Sequence, residues 1–285
     1  MAHLSDLENK KTNTAIIVNS IRLTPNTTDE IREITLELNA SGFQPKVNQS
    51  IGVLINHESE FGNSYHHRIY TIADMPNYLN DKVQLNILVK RCFDVDEFSG
   101  ERHPGIASNY LCDSSIGSQV NITGPHELPF EVPNDKSTDL ILVGMGTGIA
   151  PFKALVKTIY NEVKNWQGKI RLFYGAKSGL ELLYLNDQDG DLTQYYDETT
   201  FKAFKAISPR PHMNDPIALD HAIEDRAAEI LEMLNKLNTR IYVAGYKAIE
   251  EKLEKAFSNI MGSNEAWKTR KAELVAGNKW QEIIY

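Results

Sequence analysis

The sequence predicts an α+β chain of two domains, an N-terminal antiparallel six-stranded β-barrel followed by a doubly wound parallel α/β domain. Three observations lead there. Residues 14–137 carry six short β-rich runs, separated by turn-forming Asn, Gly, Pro and Asp and not by long helices. Near Asp139 the rhythm changes to strand–helix alternation. The first strand of that second part, Leu140-Ile141-Leu142-Val143, is apolar throughout, as a parallel strand covered on both faces must be.

The elements follow in order. Residues 1–13 are polar and read as a flexible tail. The barrel strands are expected at 15–20, 34–38, 50–55, 68–73, 83–89 and 119–123, and Leu36 and Leu38 alternate with polar Glu37 and Asn39 as a half-buried strand requires. A short helix is expected at Ser108–Cys112, with Ser108 as its N-cap. The barrel domain ends at 137 and the α/β domain covers 138–285. Within the latter, helices are expected over 151–165, 220–238 and 248–260 and strands at 140–143, 170–174, 201–207, 240–243 and 283–284.

Composition narrows the function. Of 285 residues, 41% are hydrophobic and 24% charged, as in globular chains. No apolar run approaches the roughly 20 residues that cross a bilayer, and the polar, acid-bearing start is unlike a signal or transit peptide, so membrane insertion is not expected and a cytoplasmic location is. Two cysteines, Cys92 and Cys112, are too few for an iron–sulfur cluster. A net charge of −8 argues against nucleic acid. Up to Ser137 there are 11 Lys+Arg against 18 Asp+Glu, and beyond it 19 against 20, so the acid excess lies in the barrel half.

Two short motifs carry chemistry. Gly144-Met145-Gly146-Thr147-Gly148-Ile149-Ala150-Pro151-Phe152 follows a buried strand and opens a helix, where free N–H groups and the helix dipole suit a diphosphate. It departs from the usual GxGxxG spacing. Arg68-Ile69-Tyr70-Thr71 lies on a barrel strand that places Arg68 and Tyr70 on one face. A cation for phosphate, a flat aromatic for a ring system and a hydroxyl for a ring nitrogen make a flavin-sized set.

Taken together, seven ordered motifs span nearly the whole chain: Gln49–Val53, Arg68–Thr71, Val89-Lys90-Arg91, Gly105–Cys112, Ile122-Thr123-Gly124-Pro125, Gly144–Phe152 and the C-terminal Tyr285. In that order they resemble the plant-type ferredoxin–NADP+ reductase family. The resemblance implies a barrel that binds FAD, an α/β domain that binds NADP(H), and electron transfer by hydride exchange at flavin N5. By the same resemblance Arg68 meets the FAD diphosphate, with Ile69 beside it, Tyr70 stacks on one face of the isoalloxazine, and Thr71 bonds near its N5. Leu88, Val89 and Lys90 pass along the cofactor, Lys90 also nearing the nucleotide. Ile106, Ala107 and Ser108 hold the diphosphate through backbone N–H groups. Gly146, Thr147 and Gly148 receive the nicotinamide half, with Gly245 and Tyr246 alongside. Tyr285 covers the other flavin face and is displaced during turnover.

The pattern also departs from the family. Ala244 stands where a cysteine is expected beside the nicotinamide, and Ile283 where a glutamate is expected near the C-terminus. The neighbouring Glu282 should point to the opposite face of its strand. Asp94 replaces the aromatic expected on the FAD adenine, for which Phe93 is the substitute. A 2′-phosphate is expected at Arg210, helped by Ser208 and Lys177, with Ile217 in place of an aromatic against the adenine. The expected partner is a one-electron carrier protein. Family members dock acidic ferredoxins through basic patches, whereas Glu58, Glu60, Asp94, Asp96, Glu97 and Glu101 load this barrel with acid. A less acidic or basic partner, such as the component of an oxygenase system, therefore stands beside ferredoxin and flavodoxin as a candidate, and a non-catalytic flavin-binding subunit is the reading from a different class.

Overall fold

The computed structural model describes residues 12–57, 65–96, 98–185, 191–213 and 215–285. Most of the expected tail, together with Glu58, Glu60 and Glu97, lies outside the described residues. Two compact units divide the chain, Met1–Leu128 and Pro129–Tyr285. The division precedes the expected boundary at 137/138 because Phe130 belongs to the second core: its ring stacks on Tyr242 at 5.1 Å and packs on Phe152 at 5.5 Å.

The first unit is built on β1 (Asn13–Arg22), β2 (Ile31–Asn39), β3 (Gln49–Asn56), β4 (Tyr65–Thr71), β5 (Asn77–Leu79) and β6 (Lys82–Lys90). A two-strand hairpin, β7 (Phe93–Val95) and β8 (Arg102–Pro104), then precedes helix α1 (Ile106–Asp113) and β9 (Gln119–Glu127). The main sheet runs β4-β3-β9-β1-β2-β6-β5, and every pairing is antiparallel. A bridge from Ile72 to Ile87 and the Ala73 N–H to Asn86 carbonyl bond (2.7 Å) join the end of β4 to β6. Those contacts bring the end of β4 onto β6 and close six strands into a barrel at that end. The seventh strand, β5, is a three-residue ribbon hydrogen-bonded to β6. Alternation fills the interior: Ile51, Val53, Ile34, Leu36, Val83 and Ile87 are all buried in one cluster.

Helix α1 starts earlier than expected. Gly105 is its N-cap and Ser108 lies inside the first turn, so the capping role assigned to Ser108 is corrected. The hydroxyl has other partners. It donates to the Gly105 carbonyl (3.2 Å) and accepts from the Cys92 N–H (3.1 Å), stitching the end of the barrel strand to the helix.

In the second unit β10 (Leu140–Met145), β11 (Ile170–Ala176), β12 (Phe201–Ile207), β13 (Arg240–Gly245) and β14 (Trp280–Ile284) form one parallel sheet, ordered β12-β11-β10-β13-β14. The order reverses at β10, and the carboxyl ends of β10 and its neighbours are where ligands bind in such sheets. Helices α2 (Ala150–Thr158), α3 (Leu219–Glu224), α4 (Ala227–Asn235), α5 (Ala248–Met261) and α6 (Asn264–Ala276) complete the unit. The helix expected over 220–238 is two helices broken at Asp225-Arg226, and Ile223 of the first and Ile230 of the second are both buried in the core. After Thr158 the expected single helix continues as a π-turn, Ile159–Val163. Among the described residues no helix is long and apolar enough to cross a membrane.

Candidate functional site

In the barrel unit, the register settles which side chains share a face. Tyr70 lies opposite Ile51 and packs on the barrel core, while Ile69 lies opposite Gly52 and is half exposed. Arg68 is on the Tyr70 side of the strand, exposed, with no ion pair to a described residue. Burial pushes the Tyr70 phenol far above its ordinary range, even though the Arg68 charge pulls it down, so this ring is a neutral aromatic platform. Thr71, half-buried, ends the strand beside Ser50.

Two further segments supply the rest of the expected set. On β6, Leu88 and Val89 are buried, and Val89 belongs to the barrel core cluster, so its backbone is the part left to face a ligand. The Lys90 ammonium is held by Asp29 at 2.7 Å. At α1, no side chain caps the first turn, so the N–H groups of Ile106, Ala107 and Ser108 lie at a helix start without a side-chain acceptor. Phe93 is partly exposed on its hairpin, with the Arg102 guanidinium 4.5 Å from its ring centroid. Among the described residues, a cation without an ion pair, an uncapped helix start and a neutral aromatic are groups that could hold a diphosphate and a flat ring.

In the sequence Arg91 stands out only as the last residue of Val89-Lys90-Arg91. In the fold it holds α1. Its guanidinium donates to Glu30 (2.8 Å), to the Asn109 amide oxygen (2.8 Å) and to Asp113 (2.7 Å), the last two being residues of α1. Burial opposes ionisation of Glu30, yet hydrogen bonds from Arg91 and Arg32 outweigh it and hold the carboxyl below its usual range. Arg91→Ala leaves the Glu30 carboxylate partly buried with one donor fewer and unties α1. It is expected to cost about 1–3 kcal/mol and to lower the thermal midpoint of the barrel, read by circular dichroism. An unchanged midpoint would count against the anchoring role.

The second unit gathers its groups at the carboxyl ends of β10 and β13. Gly146 has a positive φ of 59°, and a Cβ there would lie 2.8 Å from the Tyr246 ring. Gly148 lies against the neighbouring strand: a Cβ would sit 2.0 Å from the Ala244 carbonyl oxygen. The Thr147 hydroxyl meets the Tyr285 hydroxyl at 3.1 Å. Tyr285 is tied again by its N–H to the Gly245 carbonyl (3.2 Å) and by an edge contact with the Tyr246 ring at 5.8 Å. Tyr174, which the sequence did not single out, donates its hydroxyl to the Gly146 carbonyl (2.9 Å) and braces the turn from below.

The two departures noted in the sequence turn out to be neighbours. Ala244 and Ile283 are register partners on β13 and β14. Two polar groups of the family pattern are thus replaced by an adjoining apolar pair. Glu282 is on the other face, where it accepts from the Trp280 indole N–H at 2.9 Å.

Further along the sheet, Ala176 and Ile207 are partners at the ends of β11 and β12, so Lys177 and Ser208 leave adjacent strand ends. Lys177 and Arg210 are exposed. The Arg210 Nε donates to Asp215 at 2.7 Å, and Ser208, buried, donates to the Asp215 carbonyl at 2.6 Å. Ile217 lies by Gly175. Asp215 carried no sequence signal.

The oxidoreductase NAD-binding domain family model matches residues 142–255. A ferredoxin–NADP reductase of Picosynechococcus sp. is 26% identical over 265 residues, 90% of this chain and 65% of that protein. The chloroplastic ferredoxin–NADP reductase of Spinacia oleracea is 26% identical over 242 residues, 83% of this chain and 65% of that protein. The chain therefore spans just under two thirds of these relatives. A solved structure of ferredoxin–NADP+ reductase from Plasmodium falciparum superposes with a TM-score of 0.68 at 23% identity, covering 98% of this chain and 97% of that one, and so shares the two-part fold.

Proposed function

We propose that the chain is a member of the ferredoxin–NADP+ reductase family, an oxidoreductase moving electrons between NADP(H) and a one-electron carrier protein through FAD. The observation that carries this is the pairing of donor sets, one in each unit. Arg68, Tyr70, Thr71 and the start of α1 suit FAD, and the turn Gly146-Thr147-Gly148 at the sheet's reversal point suits a nicotinamide nucleotide.

FAD bound by these residues would supply the exchange between a two-electron hydride and single electrons. The chain's own residues bind and orient. Arg68 and the N–H groups of Ile106, Ala107 and Ser108 neutralise the flavin diphosphate. Tyr70 offers a flat, neutral ring, and the Thr71 hydroxyl a donor for a ring nitrogen. In the second unit the Thr147 hydroxyl fixes the incoming carboxamide once its bond to Tyr285 opens. Arg210 and Lys177 attract the adenylate phosphate. The apolar Ala244–Ile283 pair holds no proton, so this protein's residues at that point position rather than titrate.

The partner is a protein carrier of single electrons: a ferredoxin, a flavodoxin or an oxygenase component. Asp94 and Glu101 give the barrel surface acid, whereas Asp96 is occupied locally, accepting from the N–H groups of Phe98 and Ser99. Such charges act chiefly through encounter rate. The experiment is direct. The purified protein should be yellow, bleach when NADPH is added without oxygen, and then reduce ferricyanide. A flavin that neither NADPH nor NADH can reduce would sink the reductase reading and favour a non-catalytic flavin-binding subunit.

A further inference from the structure

Asp215 engages two of the three residues expected to hold a 2′-phosphate, Ser208 and Arg210. Ser208 has one hydroxyl proton, and it points to the Asp215 main-chain carbonyl at 2.6 Å. That side chain is 2% exposed, so the hydroxyl is spent on shaping the loop. The Arg210 Nε is spent as well, 2.7 Å from the Asp215 carboxylate. Arg210 keeps its two terminal amino groups for a ligand, and Lys177 leaves the adjacent strand end. Among the described residues this edge of the sheet presents Lys177, Arg210 and the Asp215 carboxylate, with His212 exposed between the last two.

A carboxylate here acts oppositely on the two possible nucleotides. It repels the dianionic 2′-phosphate of NADP(H) and cancels part of the attraction of Arg210. Toward the ribose 2′-hydroxyl of NAD(H) it is an acceptor, the role an acidic side chain plays at the ends of parallel strands in many dinucleotide sites. Between Arg210 and Asp215 no second arginine follows; the imidazole of His212, exposed, is the one further ring there.

We propose that Asp215 is a specificity-determining residue that keeps this nucleotide site open to NADH as well as NADPH. The proposal rests on the nucleotide-site reading given above. Asp215 sets the ratio of the two nucleotides through charge, and the loop shape is held by its backbone carbonyl.

The test is Asp215→Asn, which keeps the size and the main-chain carbonyl that Ser208 needs. Two readouts are taken on the flavin-loaded protein. The first is anaerobic stopped-flow reduction by NADPH and by NADH. The second is calorimetric binding of 2′-phospho-AMP and of 5′-AMP, which requires no flavin chemistry. In Asp215→Asn the NADPH-to-NADH ratio should rise about tenfold, and the 2′-phospho-AMP to AMP affinity ratio should rise alike. An unchanged or lowered ratio in both readouts overturns the proposal, the lowered one assigning Asp215 to orienting Arg210 for the phosphate. Should neither nucleotide reduce the wild-type flavin, the reductase reading fails on its own, while the calorimetric ratio still decides what Asp215 does.

Discussion

Replacing Arg68 by alanine is expected to weaken FAD binding by about 10–100-fold. The estimate follows from the worth of a charge-assisted hydrogen bond, about 1.5–3 kcal/mol, with each 1.4 kcal/mol giving roughly a factor of ten. The side chain is exposed and paired with no described carboxylate, so its removal leaves no buried charge behind and little folding cost. That separates it from a core substitution. The readout is quenching of FAD fluorescence on titration into apoprotein, with the ratio of flavin to protein absorbance after gel filtration as a second measure. Arg68→Lys restores the charge but not the planar fork that grips two phosphate oxygens, and should fall between. If Arg68→Ala bound FAD as tightly as wild type, the diphosphate would have to be held elsewhere.

The second large effect is structural, at the glycine-rich turn. Gly148→Ala places a Cβ 2.0 Å from the Ala244 carbonyl oxygen and 2.5 Å from its carbon, where real Cβ atoms stay beyond 3.0 Å. Both atoms struck are backbone. Neither can rotate away, so β13 must move from β10 or the turn must lift. Overpacking of this kind costs about 3 kcal/mol at the upper end of its usual range, which for a domain of this size lowers the melting midpoint by roughly 6–12 °C. Gly179→Ala is the control, since nothing lies within 4 Å of a Cβ there. A Gly148→Ala protein that melted with the wild type would mean the two strand ends stand further apart than described.

The barrel and the doubly wound sheet are both legible in the sequence, for the reason that long strands announce themselves by period. Leu36 and Leu38 alternate with polar residues, and Leu140–Val143 is apolar throughout. What escaped is short or unpatterned. The three-residue strands β5, β7 and β8 hold too few positions to show a period. Helix α6 buries only Trp267 and Leu274 among its residues, so its apolar stripe is too sparse to register. The break between α3 and α4 carries neither Gly nor Pro, the usual signals of a stop. The site divides in the same way. Arg68, Tyr70 and the Gly146–Gly148 turn are visible because the chemistry is local. The Ala244–Ile283 neighbourhood, the Arg91 clamp on α1 and the grip of Asp215 on Ser208 and Arg210 are made by pairings and turns, which residue order alone does not disclose.

The contact between Thr147 and Tyr285 makes the second unit its own competitor. Tyr285 is tethered through its N–H to Gly245, so its hydroxyl stands near Thr147 at a high effective concentration that dilution of the protein cannot lower. A nucleotide that uses the Thr147 hydroxyl binds only the fraction of molecules in which that tether has swung away. Its measured affinity is its intrinsic affinity scaled by that fraction, about a hundredfold weaker if the open form is one molecule in a hundred. On the proposed reading, any nucleotide that engages Thr147 is held more weakly than the open site alone would hold it.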